Sequence, residues 1–134
     1  MASKRMFATA VVEYSAFLRM PLSTQALYFH LGLNADDDGV VDAWGVARLI
    51  GSSEDDFKLL IAKGYIVPLE DMLIWIRHFS LNNNLSASKI NYGIHRELLL
   101  TRIPDAPLIY KKDDKTIGQP EDLKNRMNDI FKKP

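Results

Sequence analysis

The stretch DAWGVARLIGSSEDDFKLLIAKGYIVPLEDMLIWIRHF, residues 42–79, decides the fold. Asp42 can cap a helix in which Val46, Leu49 and Ile50 fall at i, i+3 and i+4, and Gly51 supplies its stop. A second helix starts at once. Ser53 is its N-cap, Asp56 at the third helical position makes a variant of the capping box, and Phe57, Leu60 and Ile61 form one apolar stripe. Lys63 suits the negative end of the helix dipole, and Gly64 gives the left-handed stop. Tyr65 to Val67 then reads as a strand, Pro68 to Asp71 as a turn, and Met72 to Phe79 as a longer strand rich in branched and aromatic residues. Helix, tight turn, helix and hairpin is the winged helix-turn-helix order. The expected fold is therefore mainly α with a small β-hairpin, a winged-helix domain over residues 1–83 and a helical or irregular extension over residues 84–134.

Toward the N-terminus, Lys4 to Val12 turns from basic to apolar and reads either as an edge strand or as an arm along the core. Phe17 and Leu18 suggest a short helix before Met20 and Pro21. From Ser23, a capping candidate, the run to Leu33 is apolar nearly all round, the pattern of a central support helix buried on several sides. His30 within it reads as a hydrogen-bonded core residue. Asn34, Asp36, Asp38 and Gly39 match positions 1, 3, 5 and 6 of an EF-hand loop, but position 12 is Gly45 where the bidentate glutamate belongs. The segment reads instead as an acidic, solvated turn leading into a short strand at Val40 and Val41.

Toward the C-terminus, Asn82 to Asn84, Ser86 and Ser88 make a polar break, a hinge or a contact loop. Ile94, Leu98 and Leu99 lie near helical spacing between Tyr92 and Arg102, and Pro104 ends that helix. Leu108 to Tyr110 and Lys115 to Ile117 flank a charged turn, as in a small hairpin. Pro120 is well placed to open a last helix, with Leu123, Met127, Ile130 and Phe131 at i, i+4, i+7 and i+8, a stripe that needs a partner surface.

Composition narrows the function classes. A chain of 134 residues, 47% hydrophobic, can bury one core but hardly two. The absence of cysteine excludes disulfides, thiolate zinc sites and cysteine nucleophiles. There is no run of roughly 18 apolar residues and no signal-peptide pattern at the N-terminus, so a cytoplasmic protein without a membrane partner is expected. His30, His78 and His95 lack metalloprotease spacing, and no phosphate-cradling glycine loop occurs, so a non-enzymatic protein without a cofactor is expected. Net charge is zero but unevenly spread: residues 1–80 hold seven Lys/Arg against ten Asp/Glu, and residues 81–134 hold ten against seven. A polyanion-binding surface must be local or lie in the second half.

In a winged helix the second helix enters the major groove and the wing meets the neighbouring backbone. On that reading the DNA-binding candidates are Ser52, Ser53, Lys58 and Lys63 on the second helix, Arg77, His78, Asn82 and Asn83 at the end of the wing, Lys4 and Arg5 at the N-terminus, and Lys89 beyond the polar break. Glu54, Asp55 and Asp56 would repel phosphate at the leading end of the same helix. Trp44 and Trp75 are candidate stacking platforms, although core packing is the commoner role.

The run from Ala16 through Pro21, Leu22, Ser23, Thr24, Gln25, Ala26, Leu27, Tyr28, Phe29 and His30 to Leu31, followed by Ala35, Asp36, Asp37, Asp38 and Gly39, resembles the N-terminal domain of phage replisome organisers. The resemblance continues through Gly51 to Asp56, Leu59 to Gly64, Ile76 to His78, and Asn82 with Asn83, about two thirds of the chain. It implies a winged helix related to the DnaD class of primosome proteins, which binds a replication origin and helps recruit the helicase machinery. The implied partners are double-stranded DNA, replication proteins such as a helicase or its loader, and further copies of the chain. Where that family is usually rich in Lys and Arg after the paired asparagines, Asn84 to Ser88 carries no charge and only Lys89 follows. Two other readings stand beside origin binding: a protein-interaction or oligomerisation module that grips a host replication, repressor or defence protein, and a small transcriptional regulator.

Overall fold

The computed structural model describes residues 4–83 and 93–108. An arm at residues 4–8 leads into α1 (Thr9–Val12) and α2 (Ser15–Leu18), followed by α3 (Leu22–Asn34), β1 (Val40–Asp42), α4 (Ala43–Ile50), α5 (Glu54–Ala62), β2 (Ile66–Glu70), β3 (Leu73–Ile76), α6 (Phe79–Asn82) and α7 (Arg96–Arg102). About half of these residues are helical, and the strands form one small antiparallel sheet in the order β1-β3-β2. The hairpin expected from the sequence is thus two of the three strands of a sheet, because the short strand at Val40 and Val41 joins it opposite Trp75 and Ile74.

Local chemistry sets the element ends. Asp42 caps α4 by accepting from the Trp44 amide at 3.1 Å, and Gly51 ends it in the left-handed region with φ 72°. Ser53 and Asp56 form the reciprocal capping box of α5. The helix before them starts differently from expectation. Pro21 occupies the N-cap of α3, and the hydroxyl of Ser23 donates to Asp56 across the fold instead of capping its own helix. Strand β2 begins one residue late and runs through Pro68, leaving only Asp71 and Met72 in the turn, while β3 stops at Ile76. Pro68 is tolerated because β2 lies at the sheet edge, where a missing N–H need not break a ladder, and the register slips between Pro68 and Glu70.

Alternation along the strands divides the hydrophobic core in two. Val41, Ile66, Ile74 and Ile76 face a cluster built on α3, α4 and α5, where Phe17, Leu27, Tyr28, Leu31, Val46, Phe57 and Leu60 are buried. Val40, Leu69 and Trp75 face the other way, onto Leu99 of α7, Ala106 and Leu108. Helix α3 buries Thr24, Leu27, Tyr28, Leu31 and Gly32 along one stripe, with His30 half-buried and Leu22 and Leu33 exposed, so it is amphipathic rather than enclosed. Phe17, Tyr28, Phe29 and Tyr65 pack edge to face around it, with ring centroids 5.2–6.1 Å apart.

Two residues of the expected apolar stripes lie outside the core. The buried line of α4 runs through Ala43, Val46 and the half-buried Ala47 and Ile50, which turns Leu49 outward to 75% exposure. On α5 the line runs through Asp56, Phe57 and Leu60, leaving Ile61 at its solvent edge. All of the expected hairpin beyond Leu108 and the last helix from Pro120 lie outside the described residues, as does the polar break at Asn84 to Ser88.

The segment Ala35 to Gly39 is acidic but not solvated. Asp37 and Asp38 are buried, the first paired with Arg5 at 3.0 Å and the second with Arg96, while Asp36 accepts from the amides of Asp38 and Val40. Burial raises the Asp36 carboxyl above its ordinary range despite those two hydrogen bonds. Gly39 is obligatory on two counts: its φ is 91°, and an added Cβ would come 2.6 Å from that of Phe79.

Leu60 is fully buried where α5 meets α3, so Leu60→Ala is expected to cost about 2–5 kcal/mol of stability. Leu49→Ala, one helix away but exposed, should cost no more than about 0.5 kcal/mol. Chemical denaturation of both variants checks the placement.

Candidate nucleic-acid interface

The eleven residues singled out from the sequence separate into those the fold consumes and those it leaves available. Arg5 is consumed. Its guanidinium donates to the Ala35 carbonyl at 2.7 Å and to Asp37 at 3.0 Å, lies 5.0 Å over the Phe79 ring, and has no exposed side-chain surface. Removing one partner from a buried pair typically costs about 3–5 kcal/mol, far more than one phosphate contact returns, so Arg5 is an internal strut.

Asn82 and Asn83 are consumed as well. The side chain of Asn82 accepts from the Ala8 amide and donates to the Tyr28 hydroxyl, both at 2.9 Å. That of Asn83 accepts from the Met6 amide at 2.9 Å and donates to the Phe79 carbonyl at 3.3 Å. These side chains complete the backbone hydrogen bonding of the N-terminal arm, which lies beside α6 without joining a sheet. His78 is buried next to the Tyr65 ring, 5.3 Å between centroids. Burial and then the neighbouring Arg77 charge depress its pKa from 6.5 to about 3, so it is neutral at physiological pH. Arg5, His78, Asn82 and Asn83 are therefore corrected from phosphate contacts to supports of the core. The physical reason is long-range: segments more than 70 residues apart in sequence come together.

The serines at the head of α5 are partly committed. Ser53 accepts from the Asp56 amide, and the Ser52 hydroxyl reaches Asp56 at 3.1 Å and the Ser53 carbonyl at 3.4 Å. Lys58 is exposed and 3.6 Å from Glu54 in an i,i+4 pair. Such a surface pair contributes only about 0.3–0.5 kcal/mol, so Lys58 can exchange Glu54 for another anion. Lys63 is exposed at the end of α5. The half-buried Arg77 guanidinium reaches over the adjoining Gly64, its Nη1 3.0 Å from where a Cβ there would sit. Lys4 is exposed at the head of the arm, and Lys89 lies outside the described residues.

The sequence pattern does not disclose the apolar character of the face beside α5. Trp75 is core, its indole N–H donating to the Asp38 carbonyl, whereas Trp44 is 52% exposed with Arg48 stacked 4.6 Å above its ring. Trp44, Ile61 and Met72 border a groove between α4, α5 and the β2–β3 turn. Its charged lining is balanced, Glu54 and Asp71 against Arg48 and Lys58. Among the described residues no group of three or more histidine and carboxylate side chains is placed to hold a metal ion, and no helix is long and apolar enough to cross a membrane. No family model, curated protein or solved structure matches the chain.

The His78 shift fixes a pH response. A group neutral in the fold and protonated when unfolded makes the unfolded chain bind more protons between about pH 3 and 6.5, so stability falls as pH drops through that window. His78→Phe, which keeps a ring beside Tyr65, is expected to flatten the fall of melting temperature over this range. Equal slopes in variant and parent would show that His78 is not buried neutral.

Proposed function

We propose that this chain is a winged-helix module of a phage-type replication-initiation protein and that it works on duplex DNA. The observation that carries the reading is the order of elements: α3, β1, α4, a three-residue turn at Gly51 to Ser53, α5, and a β2–β3 hairpin whose sheet β1 completes. In that architecture α5 is the helix offered to the major groove and the hairpin is the wing. The resemblance of Ala16 to Gly39 and of Gly51 to Gly64 to replisome organisers supports the same reading and names replication proteins, such as a helicase or its loader, as partners.

Charge says which part of α5 would meet DNA. Its leading turn carries Glu54 and Asp55, which repel phosphate, while its other end carries Lys63 with Arg77 beside Gly64. Contact through Lys63 and Arg77, with Lys58 released from Glu54, avoids the acidic end. So few cations give weak binding per chain, and several copies on one origin would multiply it.

A second reading is favoured by one feature, the exposed apolar groove bordered by Trp44, Ile61 and Met72. Phosphate surfaces do not call for such side chains and protein surfaces do. On that reading the module docks a replication, repressor or defence protein.

A salt titration of binding to origin-containing and random duplexes separates the two. Removing one cation that neutralises a phosphate should lower the slope of log affinity against log salt by about 0.9, so Arg77→Ala and Lys63→Ala should each weaken and flatten binding. Asn82→Ala, inside the fold, should leave the slope unchanged in whatever fraction remains folded. No binding by the intact protein at low salt and high concentration would overturn the DNA reading in favour of protein docking.

A further inference from the structure

The exposed face of α5 has two halves of different chemistry. Asp56, Phe57 and Leu60 fix the inward side, and with about 3.6 residues per turn Glu54, Asp55, Lys58, Ile61 and Ala62 fall on one outward arc, Lys58 near its middle. The first turn of that arc is acidic. The second holds Lys58, Ile61 and Ala62, the last two following the lysine at i+3 and i+4. Ile61 is 39% exposed there, and Lys58 is tied to Glu54 only through a solvent-exposed pair.

We propose that this second half of α5 reads thymine beside guanine, with Ile61 and Ala62 against thymine 5-methyl groups and Lys58 donating to guanine O6 and N7. The inference rests on the DNA reading of α5 and adds to it the bases that the helix recognises.

The major groove offers hydrogen-bonding base edges and one apolar group, the thymine methyl. Reading adenine calls for the paired donor and acceptor of Asn or Gln, and reading cytosine for a carboxylate. The second half of the arc has neither, since Glu54 and Asp55 stand at the acidic head that phosphate repels. An ammonium and two apolar side chains remain, and these suit guanine and thymine. Lys58 to Ala62 covers about 6 Å of helix, enough for two neighbouring base pairs at about 3.4 Å each. Position separates Lys58 from the other cations. A side chain at the middle of the outward arc meets base edges, whereas Lys63, with Arg77 over the adjoining Gly64, lies at the helix end, where it meets the flanking backbone.

An alternating TG·CA duplex presents a thymine beside a guanine in every register, so it probes the inference without an origin sequence. The intact protein should bind it about fourfold more tightly, for each methyl contacted, than the same duplex with deoxyuridine in place of thymine. Replacing guanine by 7-deazaguanine, which lacks N7, should weaken binding about fivefold. Ile61→Ala/Ala62→Ser alters only exposed positions, where little stability is at stake. That variant should bind thymine and uracil duplexes alike and keep the guanine effect, and Lys58→Ala should do the reverse. Equal affinity of the intact protein for thymine and uracil duplexes, or for guanine and 7-deazaguanine duplexes, would overturn the inference and leave the DNA reading standing. So would a methyl effect that survives in the double variant, which would assign it to DNA shape, or a guanine effect that survives Lys58→Ala. No binding to any of these duplexes at low salt would remove the DNA reading itself, and this inference with it.

Discussion

The carboxylate of Asp56 is the point on which the pose of α5 depends. Four groups donate to it: the hydroxyls of Ser23 at 2.8 Å, Thr24 at 2.7 Å and Ser52 at 3.1 Å, and the amide of Ser53 at 3.2 Å. Two come from the first turn of α3 and two from the turn before α5, so one charge ties the start of the support helix to the start of the exposed one. Burial opposes ionisation of this carboxyl, but the hydrogen bonds from Thr24, Ser23 and Ser53 outweigh it and hold the pKa at about 2. The stabilisation is present above the ordinary carboxylate pKa and is lost as pH falls toward about 2. A side chain that the sequence presents as one acid in a repulsive run of three is thereby an internal latch, which leaves only Glu54 and Asp55 to repel an anion from the helix surface.

A second pair of charges closes the other end of the domain. Asp37 and Asp38 lie side by side in the turn before β1, and each takes an arginine from a distant segment: Arg5 from the arm and Arg96 from the head of α7. The arm and the outer layer are thus fastened to adjacent residues. Because such buried pairs are costly to break from one side, neither carboxylate is available to an ion and neither arginine to a phosphate. The cationic surface that remains on the described residues near α5 is small: Arg48 over Trp44, Lys58, Lys63 and Arg77. The groove that Lys58 lines with Trp44, Ile61 and Met72 is more apolar than a backbone-binding surface requires.

The local structure was legible because its causes are local. Asp42, Gly51, Ser53, Asp56 and Gly64 specify helix ends through hydrogen bonds spanning a few residues, and all five act as their types dictate. The phase of the apolar stripes was less legible, since Leu49 and Ile61 satisfy helical spacing as well as Ala47 and Phe57 do, and only the position of α3 decides which side is inward. The candidate site was least legible. Arg5, Asn82 and Asn83 are polar residues of surface type, and they are internal because the arm folds back across α6, a pairing that no periodicity records. Met6 and Phe7 beside a basic pair were the available hint that the arm is bound, and a bound arm needs side-chain partners for its backbone.

The most direct test of this account is the titration of the Asp56 carboxyl, followed in the full chain by carbon-detected NMR from neutral pH into acid. A latch held ionised by the donors of Thr24, Ser23 and Ser53 is expected to titrate at about 2, and its protonation to loosen the amides at the start of α5 first. A pKa at or above the ordinary 3.8 would mean that the carboxylate does not hold those donors, and the claim that one buried charge sets the pose of α5 would be contradicted.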